Sequence, residues 1–228
     1  MFAEKGGAHV ETLAIGGNSF DGTSELLPEF PQKNGTEEQY FAALALRFGV
    51  HAHKVEQQYP LSRFSGNAQM AFVAADSDRS VTCPSLKIAK TVSPHIPTYA
   101  YSYAHLQKQC DAAILLNLTQ GNDPTFSDWA SHGAEILLVF DNDHFMNPLS
   151  GGPLTCDFTG EEKALSASMM SLWTTFNLRR PVDDSGAHVV WQSFNNSQPQ
   201  TLGLSIPTSS LLPDFKKNDC AFWASLGT

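Results

Sequence analysis

A histidine and an aspartate, far apart in the chain, are the residues best placed to do chemistry. His132 lies in the turn-like stretch 129–135 (Trp-Ala-Ser-His-Gly-Ala-Glu), just before the apolar run 136–140. Catalytic imidazoles are often found in such loops on a rigid scaffold. Asp21 lies in a polar turn after a short apolar segment. The simpler interpretation of Asp21 is a turn or helix-capping carboxylate, the commonest use of Asp in such a place.

The elements that position these residues follow from local patterns. Short apolar or alternating segments predict strands at 10–15, closed by Gly16-Gly17, at 98–103 and at 201–206. Capping boxes at Thr36–Gln39 and Thr159–Glu162 open helices that end at Gly49 and near Phe176; further helices are predicted at 67–76, from Cys83-Pro84 to Ser93-Pro94, and at 219–223. The apolar run 136–140 is predicted to be buried.

Composition limits the class of protein. A chain of 228 residues with 42% hydrophobic residues fits one domain or part of one. The net charge is −9, with both signs interspersed, which argues against nucleic-acid binding. No apolar run approaches the roughly 18 residues of a transmembrane helix. The segment Met1–Gly7 lacks the apolar core of a signal peptide.

Cysteines and sequons nevertheless favour a secreted protein. The chain has four cysteines, Cys83, Cys110, Cys156 and Cys220. It has N-glycosylation sequons at Asn34, Asn117 and Asn195. Reduced core cysteines and chance sequons are the alternative, and the missing signal peptide counts against secretion. Secretion is the favoured prediction.

Two other histidine-containing stretches are candidate metal ligands. They are His51-Ala52-His53 and Asp141-Asn142-Asp143-His144. The second resembles the start of a calcium loop, but Met146 stands where the loop needs Gly. The apolar stripe of the helix after Gly160 is interpreted as core rather than as a cofactor site. We therefore predict neither a metal site nor a cofactor.

Six landmarks in order resemble the type-B carboxylesterases, the family of carboxylesterases, cholinesterases and fungal lipases. They are the acid motif Gly17-Asn18-Ser19-Phe20-Asp21-Gly22, the stretch Asp78 to Leu86 with Cys83-Pro84, the strand Tyr99-Ala100-Tyr101, the His-Gly-x-Glu motif His132 to Glu135, the helix Glu161 to Phe176 ending in Trp-x-x-Phe, and Cys220-Ala221-Phe222-Trp223. The resemblance implies an α/β fold, namely the C-terminal half of an α/β-hydrolase: a partial mixed sheet, helices packed on it, and the acid and His loops.

The resemblance also implies roles for residues. His132 would be the general base of an acyl-enzyme mechanism, and Asp21 would orient its imidazole. Asp is a departure from the commoner Glu and has a shorter reach. Glu135 matches a family position and is interpreted as support for the loop. Cys83 would pair with Cys220, which leaves Cys110 and Cys156 for a second bridge.

The family's Gly-x-Ser-x-Gly nucleophile motif and its Gly-rich oxyanion loop are missing from this sequence. We therefore interpret residues 1–228 as a single partial domain, the C-terminal portion of a secreted serine esterase or lipase. Alone it would be inactive, with an open sheet edge that favours association. Completed by an N-terminal half, it would act on a small-molecule or lipid ester. The alternatives are a non-catalytic cholinesterase-like binding or adhesion protein and the product of a decayed gene.

Overall fold

The computed structural model describes residues 10–22, 35–105, 130–146, 153–155, 157–176 and 189–227. Its strands are β1 (Leu13–Asn18), β2 (Thr98–Tyr103), β3 (His144–Met146), β4 (Pro153–Thr155), β5 (Gln200–Leu204) and β6 (Ser210–Pro213). Four of them form a mixed sheet in the order β1-β2-β5-β6. The first three of these strands are parallel and β6 is antiparallel to β5, while β3 and β4 form a separate antiparallel pair.

Helices surround the sheet. They are α1 (Glu37–Phe48), α2 (Ala52–Gln58), α3 (Ala68–Ser77), α4 (Cys83–Val92), α5 (Ile136–Val139), α6 (Gly160–Phe176) and α7 (Lys217–Ser225). The two predicted capping boxes are present: the Thr36 hydroxyl accepts from the Gln39 backbone N–H, and the Thr159 hydroxyl accepts from that of Glu162. The predicted helix starts are therefore confirmed at both places.

The sheet lies between helices, and β2 shows how the sequence achieves this. Ala100 points to the side of α4, where it packs with Ala89 and Phe194. Tyr103 points to the other side, into a cluster with the apolar face of α6. Alternate side chains of a strand point to opposite faces, so the alternating sequence of β2 serves two helical layers. The predicted fold class, an α/β sheet with helices packed on it, is confirmed.

The predicted end of the first strand was wrong. The strand covers Leu13–Asn18 rather than 10–15, and both glycines lie inside it. A Cβ on Gly16 would lie 2.2 Å from the Tyr101 carbonyl oxygen and 2.6 Å from its ring. Glycine is needed here because the backbones and the Tyr101 side chain approach closely, not because the strand stops.

Helices α3 and α4 are joined by a π-helical segment, Asp78–Thr82. The α-helix begins at Cys83 as predicted, although the helical backbone runs into it from the preceding segment without a break. The Cys83 backbone N–H donates to the Asp78 carbonyl oxygen, five residues back. Such π-helical segments are rare within α-helices and are frequently found at functional sites. Here the segment begins with the buried Asp78.

The Asp78 carboxylate ties this helix to the C-terminal region. It accepts from the Tyr59 hydroxyl and from the Lys216 ammonium, both at 2.9 Å. Trp223 donates from its indole nitrogen to the Tyr59 oxygen, also at 2.9 Å. Burial raises the pKa of Asp78, and the Lys216 charge opposes that rise. A carboxylate buried in this way is stable only with such partners.

Two further ion pairs lie nearby. Arg63 makes a two-pronged contact with Asp219, at 2.8 Å for each nitrogen. Arg47 makes the same two-pronged contact with the buried Asp76, at 2.8 and 3.1 Å. Forked guanidinium–carboxylate pairs fix orientation as well as charge. They link α1 to α3 and the loop before α3 to α7.

The predicted disulfide between Cys83 and Cys220 is confirmed. It fastens the start of α4 to α7, beside the apolar cluster that holds Phe48, Phe72 and Trp223. The other two cysteines and the sequons at Asn34 and Asn117 lie outside the described residues.

The apolar run 136–140 was predicted to be buried, and this is only partly correct. It forms the short helix α5, in which Leu138 is fully buried. Ile136 is 52% exposed and Phe140 is 72% exposed in the described structure. A helix turns only one face of an apolar run toward the core, whereas the prediction treated the run as one buried unit.

No helix among the described residues is both long and apolar enough to cross a membrane.

Replacing Cys83 and Cys220 together by Ala should lower the free energy of unfolding by about 4–5 kcal/mol. The bridge joins positions 137 residues apart, so its loss frees a long loop in the unfolded chain. Urea denaturation followed by tryptophan fluorescence measures the change. The exposed Ser225→Ala on the same helix is the control, with a change under about 0.5 kcal/mol. A loss for the double variant as small as the control's would contradict this account.

Candidate active site

The structure brings Asp21 and His132 together, 111 residues apart in sequence. The His132 Nδ1 lies 3.0 Å from the Asp21 Oδ1. Asp21 follows β1, and an isolated parallel bridge between Phe20 and Ser131 sets the two turns side by side. The pair thus lies beyond the carboxyl end of β1, where α/β folds commonly bind ligands.

The acid turn is built around its carboxylate. The Asn18 backbone N–H donates to the Asp21 Oδ2 at 2.6 Å, which folds the turn onto itself. The Gly22 N–H donates to the Ser77 hydroxyl at 2.8 Å, which anchors the turn on α3. A Cβ on Gly17 would lie 2.5 Å from the Asp21 Oδ2. Gly17 therefore leaves the space that the carboxylate occupies.

The His turn is held by the end of β1. The Asn18 side-chain nitrogen donates to the Ser131 carbonyl oxygen at 2.7 Å and to the Glu135 Oε2 at 2.5 Å. Gly133 has a φ of +80°, a left-handed conformation that favours glycine. Glu135 was interpreted from the sequence as support for the loop. Its contact with Asn18 is consistent with that interpretation.

Burial differs sharply between the two partners. The Asp21 side chain is 4% exposed, whereas the His132 side chain is 72% exposed. Burial raises the pKa of Asp21, against the opposing hydrogen bonds from His132 and from the Asn18 backbone. The carboxylate is thus screened from water, and the imidazole is presented to the surface.

This arrangement can orient a proton acceptor. A carboxylate that accepts from Nδ1–H keeps the ring in the tautomer whose Nε2 carries a lone pair. Nε2 lies on the opposite side of the ring from Asp21. A hydroxyl brought to that side would have a base within reach.

Another histidine–carboxylate pair lies in the interior. The Nε2 of His105 is 2.9 Å from the Oε1 of Glu162, and both side chains are almost fully buried. Burial raises the pKa of Glu162, but hydrogen bonds from His105 and from the Thr159 backbone outweigh it and lower the pKa overall. The pair joins the end of β2 to the start of α6, which makes it a packing element of the fold.

The candidate metal ligands His53, Asp141 and His144 have local partners. His53 pairs with Glu56 at 3.1 Å on one helix face. Asp141 accepts from the Ser166 hydroxyl at 3.1 Å, and His144 contacts Asp143. Within the described ranges, no group of three or more His, Cys, Asp or Glu side chains is arranged to hold a metal ion.

The sequence places Gly17 and Asn18 in the acid motif but predicts none of their contacts, and it gives no indication of Ser77. In the structure, β1 ends at Asn18, whereas the sequence predicted that Gly16-Gly17 would close the strand. Ser77 is the last residue of α3, which is distant in sequence. The one available signal was the Gly-Asn pair three to four residues before the acid. This pair belongs to the acid motif, but the motif does not predict which residues the pair contacts.

Replacing Asp21 by Asn should stabilise the folded chain at pH 7. Because the pKa of Asp21 is raised in the folded state, its ionisation disfavours folding as the pH rises through that pKa. Below about pH 3 the carboxyl is mostly protonated in both states, and the difference from wild type should be smallest. Urea denaturation at pH 7 and at acid pH measures it, with the exposed Asp214→Asn as the control. An Asp21→Asn chain less stable than wild type at pH 7 would contradict the assignment.

Comparison with known proteins places the chain in a family. The model of the carboxylesterase family matches residues 16–223. The chain is 29% identical over 155 residues to acetylcholinesterase from Bungarus fasciatus, covering 64% of this chain and 21% of that protein. It is 28% identical over 171 residues to human neuroligin-2, covering 68% of this chain and 18% of that protein.

Solved structures give the same fold. A thermophilic PNB esterase superposes with a TM-score of 0.60 at 20% identity, and a second PNB esterase with 0.58 at 21%. Each match covers 92% of this chain and 38% of the esterase. The chain thus spans about a fifth of the length of the curated relatives that it matches. By the match of the family model over almost its whole length, the chain belongs to the carboxylesterase family.

Proposed function

We propose that this chain supplies the acid and the base of a serine carboxylic ester hydrolase. The observation that carries the proposal is the pair of a buried Asp21 and an exposed His132, with 3.0 Å between Oδ1 and Nδ1. Membership of the carboxylesterase family supports it. Asp21 is the orienting acid, His132 is the general base, and Glu135 supports the His turn.

The reaction follows from the orientation of the ring. Nε2 of His132 takes the proton of a serine hydroxyl as that oxygen bonds to the ester carbonyl carbon. The imidazolium returns the proton to the leaving alcohol as the ester C–O bond breaks. Water, deprotonated in the same way, then releases the acid and restores the serine. Asp21 stabilises the imidazolium at each stage, and no cofactor takes part.

The serine comes from outside these 228 residues, because the sequence holds no Gly-x-Ser-x-Gly motif. We assign residues 1–228 to the C-terminal portion of a type-B carboxylesterase domain. The share of the relatives that the chain covers supports this assignment. Among the described strands, β1 is an edge of the sheet, and we infer that it receives a strand of the N-terminal portion.

The substrate class is a neutral carboxylic ester, of a small molecule or a lipid. Ser24 and Glu25, just after the acid motif, are not aromatic, so nothing there favours a cationic alcohol such as choline.

We also infer that the protein is secreted and glycosylated. The disulfide between Cys83 and Cys220 supports an oxidising compartment. Asn195 of the third sequon is exposed and can accept a glycan. Asn34 and Asn117 are proposed as further glycosylation sites, and Cys110 with Cys156 as a second bridge.

A second candidate function is a non-catalytic, cholinesterase-like binding protein. The similarity to neuroligin-2 is the observation that keeps it under consideration. Binding through a surface has no use for a buried acid beside an exposed imidazole. The geometry therefore favours the hydrolase.

Expressed together with the N-terminal portion of its own gene, the chain should hydrolyse a short-chain p-nitrophenyl ester. His132→Gln and Asp21→Asn should each reduce kcat by about 10⁴-fold, the loss typical of a disabled triad member. The exposed His95→Gln is the matched control and should leave the rate unchanged. Full activity in His132→Gln, or the absence of any hydrolysis by the complete protein, would contradict the proposal.

The 228-residue chain alone should associate or unfold readily. An unpaired strand edge and apolar surface that packs on a missing portion both favour association. Sedimentation at several concentrations, with thermal unfolding, measures this. A monodisperse monomer that melts cooperatively would show that the fold needs no further portion.

A further inference from the structure

We propose that Asn18 is the positioning residue that sets the distance between the acid turn and the His turn. This inference rests on the proposed function of Asp21 and His132. It gives a role to Asn18, which the proposed acid and base do not by themselves account for. Asn18 is 2% exposed and ends β1, so it belongs to the sheet rather than to either turn.

Both hydrogens of the Asn18 amide are committed to the His turn. One bonds to the Ser131 carbonyl oxygen, immediately before His132, at 2.7 Å. The other bonds to the Glu135 carboxylate, three residues after His132, at 2.5 Å. The single planar amide of Asn18 therefore donates hydrogen bonds to the turn on both sides of His132.

The same residue also holds the acid. Its backbone N–H donates to the Asp21 Oδ2 at 2.6 Å, and the other carboxylate oxygen, Oδ1, faces His132. The acid and the base are thus fixed to one residue by three hydrogen bonds. A shift of either turn relative to β1 would have to break at least one of them.

The orientation of the amide is determined by its surroundings. The nitrogen side faces two oxygen acceptors, so the flipped amide would place its oxygen against both of them. In the observed orientation, Oδ1 is buried and has no hydrogen-bond partner among the described residues. The position therefore uses Asn for its two donors.

Other side chains cannot reproduce this geometry. Asp at position 18 would place a carboxylate against the Ser131 carbonyl and the Glu135 carboxylate. Ser has one donor, and Ala has none. Gln has the two donors but carries them one methylene farther from the strand.

The test reads the state of the His132 ring directly. Magic-angle-spinning ¹⁵N NMR reports which ring nitrogen carries the proton, and the method can be applied to an associated sample. The sample is the histidine-labelled 228-residue chain. Spectra are taken at pH 8, where free imidazole is mostly neutral. His132→Gln assigns the signals. The wild-type ring should show separate signals for a protonated Nδ1 and an unprotonated Nε2.

Asn18→Asp and Asn18→Ala should lose the separate Nδ1–H signal, because the ring no longer stays against Asp21. Asn196→Asp is the matched control, since it makes the same change at an exposed Asn whose amide donates to the Lys90 carbonyl. It should leave the ring signals unchanged. An unchanged ring in folded Asn18→Asp and Asn18→Ala would overturn the inference.

A second pair of variants keeps the test sharp if Asn18 cannot be changed without unfolding. Glu135→Gln retains an oxygen that can accept from the Asn18 amide and should preserve the ring signals. Glu135→Ala removes the acceptor and should weaken the Nδ1–H signal. Equal spectra for the two variants would contradict the inference. Folding of each variant is checked by circular dichroism and by retention of the Cys83–Cys220 disulfide.

The ring readout is independent of ester hydrolysis. If Asn18 positions the ring but the complete protein hydrolyses no ester, the positioning role stands and the proposed function fails. If the complete protein is active and the ring ignores Asn18, the proposed function stands and the positioning role fails.

Discussion

The buried carboxylate of Asp21 is the constraint on which the site depends. A charge that is almost fully removed from water needs hydrogen-bond donors. This one has two, the Asn18 backbone N–H on one oxygen and His132 on the other. The space for it exists because Gly17 has no side chain. The acid, the glycine before it and the exposed imidazole are therefore parts of one arrangement.

Contacts with β2 and α3 hold that arrangement in place. Gly16 allows β1 to approach Tyr101 of β2, and Ser77 on α3 receives the Gly22 N–H. The helix that carries Ser77 is in turn tied to the C-terminal region through Asp78, Lys216 and the disulfide. Ser77 and Asp78 thus connect the helical segment behind the acid turn to both the site and the C-terminal region.

Local chemistry made much of the fold predictable. Capping boxes predicted the starts of α1 and α6, and the alternation of aromatic and small residues predicted β2. These signals are local. The capping residues bond to backbone groups a few positions away, and alternate side chains of a strand point to opposite faces. The end of β1 was mistaken because a glycine needed for close approach resembles one that stops a strand.

The site was predictable only in part. Asp21 and His132 could be proposed from motifs, whereas their separation and unequal burial come from contacts between distant segments. The contacts of Asn18 could not be predicted, since its side chain bonds to residues 113 and 117 positions away. The exposure of Ile136 and Phe140 was missed because an apolar run does not specify which face turns inward.

Sequencing the source transcript upstream of the Met1 codon tests the central claim most directly. That claim is that Asp21 and His132 are the acid and base of a serine esterase whose nucleophile lies in a preceding portion. We predict an in-frame extension that encodes a Gly-x-Ser-x-Gly motif after a Gly-rich oxyanion loop. A stop codon directly upstream, with no such extension in any transcript, would contradict the account.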